Sequence, residues 1–269
     1  RPRKSPAKIA AAMLSVLRGV RSLVSVLLVG LYFVLMSPVL RLVVIPLVYF
    51  FPGQRFRQIG WFMKAMSAGI LALLRVGGAR ARRVGTIPTA QPVLIVANHQ
   101  SLTDILQATL ASTPRVPAFV TRRRYERFVP LVSACIRLVG CPMVDPRRDP
   151  EAAVTAVRRG ARELPHGLLL FAEGHRSRDG RILPFRSAGL LAALEERSLP
   201  VYLMLNDGAW RVATLADLLF RAHLIDAYSE VIGPFDPPRN PAERPAFVRM
   251  LRETLVTRLD EHRQGKTSA

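Results

Sequence analysis

His99 stands five positions before Asp104 in the stretch Asn98-His99-Gln100-Ser101-Leu102-Thr103-Asp104. An imidazole beside a carboxylate is a general base whose tautomer and orientation are fixed by its partner. The apolar run Val93 to Ala97 reads as a short buried strand, and Ile105 to Leu110 reads as a helix. The pair therefore sits where a strand gives way to a helix, and strand ends in α/β sheets are where ligands bind. Inside one unbroken helix a spacing of five would place the two side chains about 140° apart. A strand-to-helix turn lifts that restriction. A second reading of the same residues stays open. Ser101-x-x-Asp104 has the form of a capping box, with the serine as N-cap, the acid at N3 and His99 a hydrogen-bonded histidine in the turn.

Phe171-Ala172-Glu173-Gly174-His175-Arg176-Ser177 repeats the theme, since the apolar run Leu168 to Phe171 ends in a polar loop. Gly174 permits a close backbone approach or a positive φ. Arg176 offers a planar fork suited to phosphate, and Glu173 could hold that arginine or a substrate hydroxyl. The alternative is a surface turn with an exposed Glu–Arg pair, which contributes little. Between these stretches lies Gly140-Cys141-Pro142-Met143-Val144-Asp145-Pro146-Arg147-Arg148, where Arg147 or Arg148 faces an anionic substrate or forms a solvated turn. Leu199 to Met204 is an apolar strand that borders a pocket or is plain core.

The elements that must position these residues alternate. Strands are predicted at 93–97, 116–120, 142–144, 168–171, 201–205 and 224–232. Helices are predicted at 103–111, 124–138, 151–164, 188–196 and 242–262. This alternation argues for an α/β layered domain with a largely parallel sheet flanked by helices. Ahead of it, Ser22 to Leu40 carries no charge, and nineteen such residues suffice to span a hydrocarbon core of about 30 Å. Leu42 to Phe51 is too short to span alone, and Pro38, Pro46 and Pro52 would kink or end helices. The run is too long for a signal peptide and lacks a small-residue cleavage site, so it reads as a membrane anchor, either one span or a re-entrant pair. Arg55 to Arg75 has apolar residues at helical spacing, fitting an interfacial or a core-packing helix. The expected organisation is a basic arm over 1–21, membrane-anchoring and amphipathic helices over 22–76, and an α/β domain over 77–269.

Thirty-nine Lys and Arg against nineteen Asp and Glu give a formal net charge of +20. That charge calls for an anionic partner, either nucleic acid or an anionic membrane surface. With 50% hydrophobic residues, 7% aromatics and no nucleic-acid-binding motif, it points to anionic membrane lipids and away from nucleic acid. Arginines at 122–124 and 158–159 then read as a solvated, lipid-facing surface. Cys135 and Cys141 make neither a disulfide framework nor a metal-ligand pattern, which suits a reducing, cytosol-facing environment.

Taken in order, these blocks resemble the glycerolipid acyltransferase family, typified by bacterial 1-acyl-glycerol-3-phosphate acyltransferases. Asn98, His99, Ser101 and Asp104 match its N-H-x-S-x-x-D block in full. Phe171, Glu173, Gly174, Arg176 and Ser177 match F-P-E-G-T-R-S, with Ala172 for the proline and His175 for the threonine. Phe185, Arg186 and Gly189 meet a downstream F-[KR]-x-x-G pattern. In the second block Pro146 follows Asp145, so Arg147 is displaced by one position, and of the fourth block's two prolines only Pro200 is clear.

The resemblance implies an O-acyltransferase. His99 takes the proton of an acceptor hydroxyl, Asp104 orients His99, and the hydroxyl attacks the thioester of acyl-CoA or an acyl carrier protein. No cofactor, metal or acyl-enzyme is implied. Glu173, Gly174, Arg176, Ser177, Arg147 and Asn98 are the implied substrate-binding residues. The implied acceptor is 1-acyl-glycerol-3-phosphate, with lyso-ornithine or another lysolipid as alternatives. The implied place is the inner or plasma membrane with the site facing the cytoplasm. Two other classes are weighed against this one: a non-catalytic basic module on anionic lipid or nucleic acid, and a hydrolase using Ser101 or Ser177 with His99. No G-x-S-x-G elbow supports the hydrolase.

Overall fold

The computed structural model describes residues 6–127, 129–212 and 214–267. The chain opens with one long helix, α1 (Pro6–Val39), followed by a π-helical segment at Leu40–Val44 and a short helix α2 (Ile45–Phe50). Residues 1–5 of the expected basic arm lie outside the described residues. From Pro6 onward the arm is helical and no break falls at 21/22, because the stretch after Pro6 is rich in Ala, with Leu and Arg beside it, all strong helix formers. Pro38 does not end α1 either. It removes one N–H from the ladder, and the hydrogen-bond pattern loosens into the π segment just beyond it.

The chain turns at Pro52–Gln54 and returns as α3 (Arg55–Val76), which lies against α1. Tyr32 donates its hydroxyl to the Ala65 carbonyl at 3.2 Å, and Ser25 to the Leu73 carbonyl at 2.8 Å. Of the two readings of α3, the core-packing one applies, since Ile59, Phe62, Met63, Met66 and Leu74 are buried. α1 and α2 differ: Leu27, Val34, Leu35, Leu42, Tyr49 and Phe50 are each more than half exposed. Both stretches of this hairpin are long and apolar enough to cross a membrane, by length and composition alone.

The α/β domain is built on a six-stranded sheet of β1 (Arg80–Val84), β2 (Leu94–Ala97), β3 (Ala118–Phe119), β4 (Leu168–Phe171), β5 (Val201–Asp207) and β6 (Asp226–Phe235). Its helices are α4 (Thr103–Ala111), α5 (Pro130–Val139), α6 (Pro150–Glu163), α7 (Ser187–Glu196), α8 (Leu215–Arg221) and α9 (Arg244–Thr267). The spatial order is β1-β6-β5-β2-β4-β3, parallel throughout except where β6 meets β5. β2 is buried along its whole length, as a central parallel strand must be. Leu94, Val96, Leu168, Leu170, Val201 and Leu203 face a large core shared with α3, α5, α6, α7 and α9. Ile95, Ala97, Leu169, Tyr202 and Met204 face the other way, with Ala108 and Ala111 of α4. The Leu199 to Met204 run is therefore core.

Two expectations shift in detail. Only Ala118–Phe119 of the 116–120 run joins the main sheet. Thr121–Arg122 instead pairs with Met143–Val144 in a small parallel ladder. The helix expected from 124 begins at Pro130, where the proline's missing N–H costs nothing, and Arg123–Glu126 is a 3-10 turn. α8, which the sequence pattern did not reveal, starts with a full capping box between Thr214 and Asp217. Cys135 and Cys141 are free and buried, and burial pushes both thiols up to about 12.

Candidate active site

β2 and β4 are parallel neighbours in a register that sets Ala97 beside Phe171. Their following loops, 98–102 and 172–186, therefore leave the sheet side by side. Gly167 fixes this register from below. Its φ is +90°, and a Cβ there would collide with the Val93 carbonyl, which accepts from Leu168 N–H at 2.9 Å.

His99 projects from the first loop. Its Nδ1 lies 2.8 Å from Asp104 Oδ2, and its ring stacks on Phe171 with centroids 4.0 Å apart. The His99 side chain is 18% exposed and that of Asp104 2%. The same Asp104 oxygen also accepts the backbone N–H groups of Gln100 at 2.6 Å and Ser101 at 2.8 Å. This tight turn is what brings residues five apart into contact. Only half of the expected capping box forms. Ser101 lies one position before the N-cap, Leu102, and its hydroxyl donates to the Val212 carbonyl at 3.0 Å, across the fold. The cap and the pair are thus the work of one carboxylate.

Three residues expected to bind substrate turn out to hold the loops together. Glu173 is fully buried, and its two oxygens accept the backbone N–H groups of His99 at 2.8 Å and Leu183 at 3.0 Å. Burial raises its carboxyl to about 7, against the pull of those two N–H donors. Asn98 is fully buried too. Its amide exchanges hydrogen bonds with the backbone of Asn206 at 2.8 and 2.7 Å, tying β2 to the end of β5. Ser177 donates its N–H to the His99 carbonyl at 2.8 Å and its hydroxyl to Asp179 at 2.9 Å. The physical reason is common to all three: loops leaving a parallel sheet present backbone donors and acceptors that need buried partners.

Arg176 is half-buried beside Tyr125 and Arg147 is exposed near Arg122, in company that sequence reasoning missed. Arg122 is half-buried and donates to the Gly174 carbonyl at 3.1 Å. Gly174 has φ +70°, and a Cβ there would press on the Arg186 side chain. Burial first, then the positive charge of Arg124, Arg147 and Arg186, pulls the Arg122 guanidinium below its ordinary value. Burial would raise the Tyr125 phenol, but hydrogen bonds and charge from Arg124 and Arg176 take it below its ordinary value. Arg122 is therefore no solvated, lipid-facing residue; the Met143–Val144 ladder carries it into the site. The pairing of a strand of two residues left no periodic signal to read. Crowded cations of this kind are complementary to a phosphate. Among the described residues no group of three His, Cys, Asp or Glu is placed to hold a metal ion.

On the far side Asp207, at the end of β5, pairs with Arg263 of α9 at 2.7 and 3.2 Å. Arg263 also donates to the Gly180 carbonyl at 2.8 Å, and Gln100 reaches that carbonyl at 3.2 Å. The polar Asn206-Asp207 pair ending an apolar run is the one signal that marks this end of β5 in the sequence.

The family model for acyltransferases matches residues 80–204, from the start of β1 into β5 and through both loops of the site. Over those residues the chain is similar to acyltransferases. Among curated proteins, it is 30% identical over 128 residues to a 1-acyl-sn-glycerol-3-phosphate acyltransferase of Cocos nucifera, covering 45% of this chain and 40% of that one. It is 28% identical over 136 residues to one of Limnanthes douglasii, covering 48% and 47%. The matched region thus spans less than half the length of either relative. The fold of this chain is similar to the crystal structure of the 1-acyl-sn-glycerophosphate (LPA) acyltransferase PlsC from Thermotoga maritima. The TM-score is 0.67 at 21% identity, over 91% of this chain and 98% of that one.

Proposed function

We propose that this protein transfers an acyl chain from a thioester donor to the free hydroxyl of 1-acyl-glycerol-3-phosphate. The observation that carries the proposal is the 2.8 Å contact between His99 Nδ1 and a buried Asp104 carboxylate that accepts two further N–H groups. An acceptor-only partner on Nδ1 fixes the proton there and leaves Nε2 as the basic nitrogen. Nε2 takes the proton of the acceptor hydroxyl as its oxygen forms the new bond to the thioester carbonyl carbon. The C–S bond then breaks, and the proton passes to the departing thiolate of CoA or acyl carrier protein. Asp104 stabilises the imidazolium in between. No metal or cofactor enters these steps.

The arginines around Gly174 give the acceptor its address. Arg122, Arg124, Arg147, Arg176 and Arg186 bind the acceptor phosphate, with Gly174 leaving room for it. Glu173, Asn98 and Ser177 act on the substrate only through the His99 loop they hold. The exposed apolar run of α1 and α2 sits in the cytoplasmic leaflet. The net charge of +20 and two free thiols support that side of the membrane.

The test is turnover by the detergent-solubilised full chain with an acyl-CoA or acyl carrier protein donor and 1-acyl-glycerol-3-phosphate. Free thiol and diacylated product should appear together. His99→Ala should lower both by at least about a thousandfold while leaving thermal unfolding in place. Wild-type turnover in that variant would refute the mechanism. Preference for a phosphate-free or amino-acid-derived lysolipid would refute the acceptor.

A further inference from the structure

Arg41 is the only charged residue between Arg21 and Arg55. It stands in the π segment among exposed apolar side chains: Leu42, beside it, is 75% exposed, and Val43, Ile45 and Leu47 are exposed as well. A guanidinium in such a band needs an anion or water. Across from it lie α5 and the turn before that helix. Between the two is a cavity of 290 Å³ lined by Ser37, Leu40, Arg41, Arg127, Leu131 and Arg137. All three arginines are exposed. Arg137 donates to the Glu126 carbonyl at 2.6 Å. No ion pair among the described residues joins any of the three to a carboxylate. Three positive charges thus converge on a small cavity whose open side runs onto the apolar band of α1 and α2.

The geometry points to a site for the phosphodiester headgroup of an anionic bilayer glycerophospholipid, clamped by Arg41, Arg127 and Arg137. The cavity suits a headgroup but not two acyl chains, and the chains continue along Val34, Leu35 and Leu42. Charge and apolar surface meet here as they do in a phospholipid. None of the lining residues belongs to the arginine group around Gly174, so this lipid is not the acyl acceptor. Its role is to pin the membrane hairpin to α5. The inference rests on the membrane placement given above, but not on acyl transfer.

The experiment follows thermal unfolding of the detergent-solubilised full chain as lipid is added, with native mass spectrometry counting bound lipid. Phosphatidylglycerol should raise Tm by about 3 °C in the wild type. The triple variant R41Q/R127Q/R137Q should lose that rise and the retained lipid. A control with the same charge change at exposed sites elsewhere, R159Q/R197Q/R239Q, should keep both. The single variant R41Q, at an exposed side chain, should lose most of the rise, which covers the case in which the triple does not fold. An undiminished rise in R41Q would overturn the site. An equal rise with phosphatidylcholine would overturn the anionic preference, and an equal rise with inorganic phosphate would overturn the lipid. These readouts need no turnover, so an inactive wild type would refute acyl transfer and leave the lipid site standing.

Discussion

The carboxylate of Glu173 holds the backbone amide of His99, at 2.8 Å, and not its ring. Four residues on, Ser177 closes the other side by donating to the His99 carbonyl at the same distance. The loop after β4 therefore grips the main chain of His99, while Asp104, in the first turn of α4, holds the ring.

This grip predicts a pH dependence of stability. The Glu173 carboxyl is raised from an ordinary 4.5 to about 7 by burial. Between those values the folded chain holds a proton that the unfolded chain has released. Stability is therefore highest below about pH 4.5 as far as this group is concerned, falls as pH rises towards 7, and is flat above. The full change is about 3 kcal/mol. Denaturant unfolding of wild type and Glu173→Gln from pH 5 to 8 should show a shallower slope in the variant. Parallel slopes would remove Glu173 from the account.

Asp104→Asn should separate orientation from folding only in part. An amide offers one oxygen and a donor where three donors now converge. We expect kcat to fall by about two to four orders of magnitude. Stability should fall by roughly 1–3 kcal/mol. Stopped thiol release and circular dichroism melting measure the two. A variant with normal kcat would mean that the His99 tautomer does not depend on this carboxylate.

The arginine group predicts a split between substrates. Arg122→Ala should raise KM for 1-acyl-glycerol-3-phosphate by roughly tenfold to a hundredfold. Exposed Arg147→Ala should do so less. Neither should change kcat/KM for a monoacylglycerol, which carries no phosphate. Equal losses on both acceptors would show that Arg122 acts only by supporting the Gly174 carbonyl.

Arg263→Ala should strand a buried charge. Asp207 has a side chain only 6% exposed, and Arg263 is its partner. Loss of a partner to a buried carboxylate costs about 3–5 kcal/mol. Gly180 would lose a donor as well. Hydrogen exchange should show faster opening of residues 173–187 in this variant, and Arg263→Lys should restore part of the protection. Unchanged exchange would uncouple α9 from the site loop.

Much of this was written locally and could be read. The alternation of apolar runs and helical patterns located β2, β4 and β5, and the family blocks put His99 and Asp104 together. What failed to show was everything that depends on a partner far along the chain. Glu173, Asn98 and Ser177 carry residue types that bind substrates or brace loops equally well, and only burial separates the two. Arg122 looked like a surface charge because its two-residue ladder with Met143–Val144 has no periodicity.

The contacts that hold His99 and Asn98 reach 74 and 108 positions along the chain, and the Arg263 brace comes later still. A chain emerging from the ribosome with its apolar hairpin already made has Asp104 beside His99 but lacks Glu173, Asn206 and Arg263. Such a nascent chain holds the His99–Asp104 contact before any of the contacts that fix the loop around it. The braces around His99 are thus complete only when almost the last helix of the chain has been translated.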